Sequence, residues 1–154
     1  MQGCSRIRLY FLGVMITATL LGATGGPGRA QGGPRVVGTG LAGTAGLVLD
    51  VRGYAYTADR AAGKILCVPP GGEPMVYARV DSPTALAVDR LRTLFVGTAS
   101  GDIFAVTPDG AVSRIFRCGN PVSGLDIDRD GNLLAATGKG AIIRVTRDEF
   151  RFSR

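Results

Sequence analysis

No histidine occurs anywhere in this 154-residue chain. That absence removes the side chain most used for proton transfer near neutral pH and the commonest imidazole ligand for metals. Ser-His-Asp and Cys-His catalysis are thereby excluded within the chain. Clustered basic charge is missing too. The 18 Lys and Arg outnumber the 12 Asp and Glu and give a net charge of +6, but they are scattered and mostly Arg. They never form the basic patch with interleaved aromatics that a phosphate backbone requires, so no nucleic-acid partner is expected. Cysteine is scarce, with only Cys4, Cys67 and Cys118.

What is present starts with the head of the chain. Arg6 and Arg8 precede an apolar run from Leu9 to Ala23, and small, turn-forming residues follow to Ala30. This is the layout of a secretory signal peptide. The run is shorter than the roughly 20 residues that span a bilayer, so no stable membrane span is expected after cleavage. The expectation is a signal peptide over 1–30, cut after Ala30, and a secreted or periplasmic product over 31–154. No cysteine follows the run at the cut to accept a lipid. Cleavage would remove Arg6, Arg8 and Arg29 and leave a net charge of +3. It would also remove Cys4, leaving Cys67 and Cys118, a pair that invites a disulfide in an exported protein. The alternative is two separate small buried hydrophobes, because the repeat described next places them in different units.

The segments "LVLDVRGYAYTADRAAGKILCV" from Leu47, "LAVDRLRTLFVGTASGDIFAV" from Leu86 and "LDIDRDGNLLAATGKGAIIRV" from Leu125 recur every 39 residues. Asp50, Asp89 and Asp128 coincide, as do Gly53 and Gly131, with Arg92 at the intermediate place. Between the second and third units the match extends to Arg90 and Arg129, Thr98 and Thr137, and Gly101 and Gly140. Each unit divides into short strands. Leu125 to Asp128 alternates with period two, "RDGN" supplies a hairpin turn, Leu133 to Thr137 returns, and Ile142 to Val145 is a third strand. Met75 to Ala78 and Ala111 to Phe116 read as fourth strands. The Gly-rich turns come too often for a helix of three turns, and a β-sandwich of similar hairpins is the remaining rival. Four antiparallel strands at about 40 residues predict an all-β chain, a partial β-propeller of about three four-stranded blades.

"DIDRDGN" places Asp126, Asp128 and Asp130 in alternation before Gly131, the opening of a calcium loop. The twelfth position of a helix-loop-helix site is Thr137 rather than Glu. These three aspartates are therefore the candidate metal ligands, with calcium as the ion, against a solvated hairpin whose acids favour the turn. No other cofactor is expected. The recurrence of Asp50, Asp89 and Asp128 in every unit argues for a turn role, since one catalytic task needs no copy in each blade. Cys67, between Leu66 and Val68, lacks the electropositive exposed setting of a reactive thiol.

"SPTALAVDRLRTLFVGTASGDIFAV" and "NPVSGLDIDRDGNLLAATGKGAIIRV" resemble the repeats of NHL-type propellers and of the gluconolactonase/regucalcin-like group. The resemblance covers about Val36 to Phe152. It implies a six-bladed ring, of which this chain carries three units, opening on a fourth strand at Val36 and Val37 and ending at "EFRFSR" in register with another. An open arc exposes a sheet edge and blade faces; two copies closing a six-blade ring would cover them, or the chain is a truncated remnant. The resemblance also implies, for lactonases, a divalent metal held by Glu, Asn and Asp before each blade-entry glycine. The corresponding positions are Ala45, Thr84 and Ser123. None offers a carboxylate or amide, and Asn120 alone makes no site. The function expected is an exported noncatalytic binding or scaffold module whose rim or face takes a protein, peptide or glycan. The alternative is a metal-dependent lactonase-like hydrolase.

Overall fold

The computed structural model describes residues 43–150 together with Thr39 and Leu41. The signal-peptide segment, Val36 and Val37, and residues 151–154 lie outside the described residues. The rest is built from eleven strands in three antiparallel sheets. The first holds β1 (Thr44–Leu49), β2 (Ala55–Asp59), β3 (Lys64–Val68) and β4 (Met75–Arg79) in sequence order. The second repeats the pattern with β5 (Pro83–Val88), β6 (Leu94–Thr98), β7 (Asp102–Val106) and β8 (Val112–Arg117). The third holds β9 (Val122–Ile127), β10 (Leu133–Thr137) and β11 (Ile142–Val145). We call them blades 1, 2 and 3.

Leu47, Leu86 and Leu125 all lie in entry strands, which begin three residues earlier, at Thr44, Pro83 and Val122. The early start has a local cause. Each entry strand carries a bulge near its beginning, leaving Gly46, Thr84 and Ser123 without a cross-strand partner. Such an extra residue kinks a strand and re-aims its side chain. The third blade differs from the four-strand expectation. Among the described residues it has three strands, and Arg147–Glu149 forms a single 3-10 turn, with the Thr146 N–H donating to the Glu149 carboxylate at 2.7 Å.

The entry strands β1, β5 and β9 lie side by side and stack the blades face to face. Two apolar cores result. Tyr56, Ile65, Leu86, Leu94 and Val96 belong to the core between blades 1 and 2. Phe95, Ile103, Val122, Leu133 and Val145 belong to the core between blades 2 and 3. Blade 2 is therefore covered on both faces, and every residue of β6 is buried. In β10 buried and half-buried positions alternate, the pattern of a sheet with one covered face. Cys67 is buried and Cys118 half-buried, in separate places and unpaired, and burial pushes both thiols up from their ordinary pKa.

Candidate functional site

The turns joining the first two strands of each blade are built alike. The Asp50 carboxylate accepts the N–H groups of Arg52 at 2.8 Å and Tyr54 at 2.9 Å. Asp128 accepts those of Asp130 and Asn132, both at 2.9 Å, and Asp89 accepts that of Thr93 at 2.8 Å. The repeated aspartate is thus a turn cap, for the reason such residues favour turns: a short carboxylate satisfies backbone donors two and four residues on. The turn needs a left-handed residue three positions after the aspartate. Gly131 takes it at φ 82° and Gly53 at φ 81°, whereas blade 2 places Arg92 there at φ 68°.

Arg92 has a compensating contact. Its Nε donates to Asp50 Oδ2 at 2.8 Å, and its guanidinium lies 5.4 Å above the Tyr54 ring, so it ties the turn of blade 2 to that of blade 1. Burial raises the Asp50 pKa, but the Arg92 hydrogen bond and the two backbone N–H groups outweigh it and hold the carboxyl below its usual range. Tyr56, whose hydroxyl faces the same carboxylate, is pushed up to about 12 by burial. Blade 2 holds a second buried carboxylate, Asp102. It is paired with Arg117 at 2.7 Å, accepts the Ser100 hydroxyl at 3.0 Å, and is likewise lowered, chiefly by Arg117. These pairs were not legible in the sequence, because each needs the registers of several strands.

The three candidate metal ligands do not form one set. Asp126 lies on β9 and, among the described residues, accepts only the Ile127 N–H, at 2.8 Å. Asp128 is engaged by its turn, by the Asn132 amide and by Arg144; the Asn132 and Arg144 hydrogen bonds hold its carboxyl well below the usual range. Asp130 reaches the same Arg144 at 3.9 Å. Among the described residues no three Asp, Glu or Cys side chains converge as a metal would require. At the blade entries, the Thr84 hydroxyl donates to the Val122 carbonyl at 2.5 Å and so fastens blade 2 to blade 3. Ser123 is exposed at its bulge.

What the turns of blades 2 and 3 do enclose is a cleft of about 510 Å³. Phe95 and Ile127 line its inner side, Asp89 to Leu91 and Asp128 to Gly131 form the walls, and Arg147 and Phe150 close one end. The Phe150 ring stands 5.5 Å from that of Phe95. Arg90, Arg129 and Arg147 are exposed around the opening, and none is ion-paired among the described residues. The 39-residue recurrence of Arg90 and Arg129 was the one sequence signal for it. Arg147 arrives from beyond β11.

No protein-family model and no curated protein matches the sequence. Solved structures do. A catalytically inactive virginiamycin B lyase from Staphylococcus aureus, with quinupristin, superposes at a TM-score of 0.63 with 18% identity, over 72% of this chain and 40% of that one. The fold is a partial β-propeller. The hydrazine synthase of Kuenenia stuttgartiensis also gives 0.63, with 22% identity over 82% of this chain and 38% of that one. A protein provisionally described as a gluconolactonase gives 0.56, with 16% identity over 70% and 46%. The chain thus spans less than half the length of each of these three proteins. Identities this low establish architecture and leave activity to the residues.

Proposed function

We propose that the chain is an exported, noncatalytic partial β-propeller that binds a carboxylate-bearing peptide segment of a partner protein in the cleft between blades 2 and 3. The observation that carries this reading is the ring of unpaired guanidinium groups, Arg90, Arg129 and Arg147, around a phenylalanine-lined floor. Guanidinium forks bind carboxylates bidentately, and an apolar floor supplies area for the neighbouring side chains. Asp89 caps its own turn, Asp128 is committed to Arg144, and the exposed Asp130 faces the same Arg144 at 3.9 Å, so three guanidinium groups face a single uncommitted carboxylate at the opening. The fold supplies a rigid platform for loop-borne recognition.

A lactonase-like hydrolase is the second reading, supported by the likeness to the protein described as a gluconolactonase. Against it stand Ala45, Thr84 and Ser123, which offer no carboxylate or amide at the blade entries, and a Thr84 hydroxyl already committed to Val122. Calorimetric titration of the full chain with a short glutamate-rich peptide separates the two. Binding that weakens with added salt, and falls roughly tenfold in an Arg129→Ala/Arg147→Ala double variant, is expected. Absence of peptide binding, or calcium-dependent turnover of a sugar lactone, would overturn the proposal.

A further inference from the structure

The turn aspartate of each blade has two carboxylate oxygens, and the repeat offers two places from which an arginine reaches the second. In blade 1, Asp50 Oδ1 accepts the backbone N–H groups of Arg52 and Tyr54, while Oδ2 accepts Nε of Arg92 from the turn of the next blade. In blade 3, Asp128 Oδ1 accepts the N–H groups of Asp130 and Asn132, while Oδ2 pairs with Arg144 from β11 of the same blade. Asp89 has neither source. The repeat equivalent of Arg92 one unit on is Gly131, and the equivalent of Arg144 one unit back is Ala105. Asp89 Oδ1 still caps its turn through the Thr93 N–H at 2.8 Å. Among the described residues its Oδ2 has no hydrogen-bond donor and no cation within bonding distance.

This half-buried carboxylate lines the cleft between blades 2 and 3 together with Gly131. Asp89 and Gly131 are the equivalents of Asp50 and Arg92, so the cleft lies where the first seam is crossed by an ion pair. Arg147 does not replace that pair. Its side chain runs along Gly131, with Nε 3.6 Å from where a β-carbon would stand, yet it is paired with no carboxylate among the described residues. Asp128 offers no alternative seat, since Arg144 already holds it.

We propose that Asp89 is a cation-accepting subsite of the cleft, and that the partner segment bound there carries an arginine within two residues of its carboxylate. The ligand's guanidinium takes at the second seam the seat that Arg92 takes at the first. This rests on the peptide-binding reading of the cleft and narrows it to a segment of mixed charge. A purely acidic segment would bring further negative charge to Asp89, whereas a mixed one answers both the exposed arginines and the half-buried carboxylate. Screening weakens the arginines at the opening more than a pair formed at the wall. Asp89 and Arg90 are chain neighbours, so the two ligand charges must also lie close together; alternate residues of an extended segment, about 7 Å apart on one side, meet that condition.

Calorimetric titration of the full chain with three peptides of equal length tests this. One is the glutamate-rich peptide, the second has an arginine two positions from a glutamate, and the third has citrulline in its place, which keeps the shape without the charge. The arginine peptide should bind about tenfold tighter than the citrulline peptide. That advantage should vanish in Asp89→Asn, whose amide oxygen still accepts the Thr93 N–H, while the citrulline peptide binds as before. Gly131→Arg should abolish the same advantage by supplying the guanidinium from within. A β-carbon at Gly131 meets no atom nearer than 3.5 Å, and Arg92 already stands in the same left-handed conformation. Circular dichroism establishes which variants fold, and either one suffices. Equal binding of the arginine and citrulline peptides, or an advantage that survives in a folded variant, would overturn the subsite and leave the carboxylate reading standing. Failure of all three peptides to bind would overturn both. An advantage seen only after removal of residues 151–154 would give Asp89 to the chain's own end and would likewise overturn the proposal.

Discussion

Arg92 shows a single residue bearing two opposed demands. Its backbone occupies the left-handed region at φ 68°, where its equivalents Gly53 and Gly131 carry no side chain, while its guanidinium satisfies the buried Asp50 carboxylate. The two contributions separate by substitution. Arg92→Ala loses the ion pair and keeps the strain, whereas Arg92→Gly loses the pair and relieves the strain. Both variants should unfold at lower urea than wild type, with Arg92→Gly more stable than Arg92→Ala by about 1 kcal/mol; equal midpoints would show that the turn is not strained. Asp50 and Asp102 give a pH signature of known sign. Both carboxyls are held below their ordinary range in the folded chain, so their stabilisation is fully present above the unfolded value of about 3.9 and disappears as the pH falls through the lower folded values. Urea midpoints should decline below about pH 4, and the decline should be shallower in Asp102→Asn. Midpoints that hold through that range would remove these pairs from the account.

At the scale of the strands, much of the architecture was legible because the repeat is read along one chain. The 39-residue spacing located all three entry strands, and "RDGN" marked a turn whose aspartate and glycine do what the dipeptide suggests. Leu133 to Thr137 and Ile142 to Val145 coincide with β10 and β11. What escaped needed a second dimension. That Arg144 faces Asp128 depends on β11 and β9 flanking β10 in one register, and that Thr84 fastens two blades depends on a bulge that no residue type announces. The cleft was half legible: Arg90 and Arg129 recur visibly, but Arg147 and Phe150 reach it from a segment whose described residues form a 3-10 turn rather than a strand. Gly97 was equally silent. A β-carbon there would stand 2.5 Å from Val122 Cγ1, because the Val122 side chain of β9 packs directly onto the β6 backbone at that point. Gly97→Ala should therefore cost about 2 kcal/mol by overpacking, measured as a drop in the denaturation midpoint. A neutral result would mean that blades 2 and 3 separate more readily than their close contact implies.

For the molecule as a whole, the decisive asymmetry is that, among the described residues, blade 2 alone is covered on both faces. Leu94 and Phe95 are adjacent in β6 yet belong to different cores, the first turned to blade 1 and the second to blade 3. Removing either core leaves the other intact in contact terms, so blade 2 is the element on which both outer blades depend. Stability within a repeat array is carried by intrinsic unit terms and by contacts between neighbours. A unit with two neighbours should therefore open last, and units with one should open through lower-energy fluctuations. Native-state hydrogen exchange reads this directly. The amides of β6 and β7 should exchange only through global unfolding, while those of β11 exchange through a sub-global opening of blade 3. Blade 1 offers a second comparison, because among the described residues it too packs against one neighbouring blade. Its entry strand β1 should exchange through local opening much as β11 does. Protection in β1 and β11 equal to that of β6 would show that contact with a second neighbour adds nothing to the stability of blade 2.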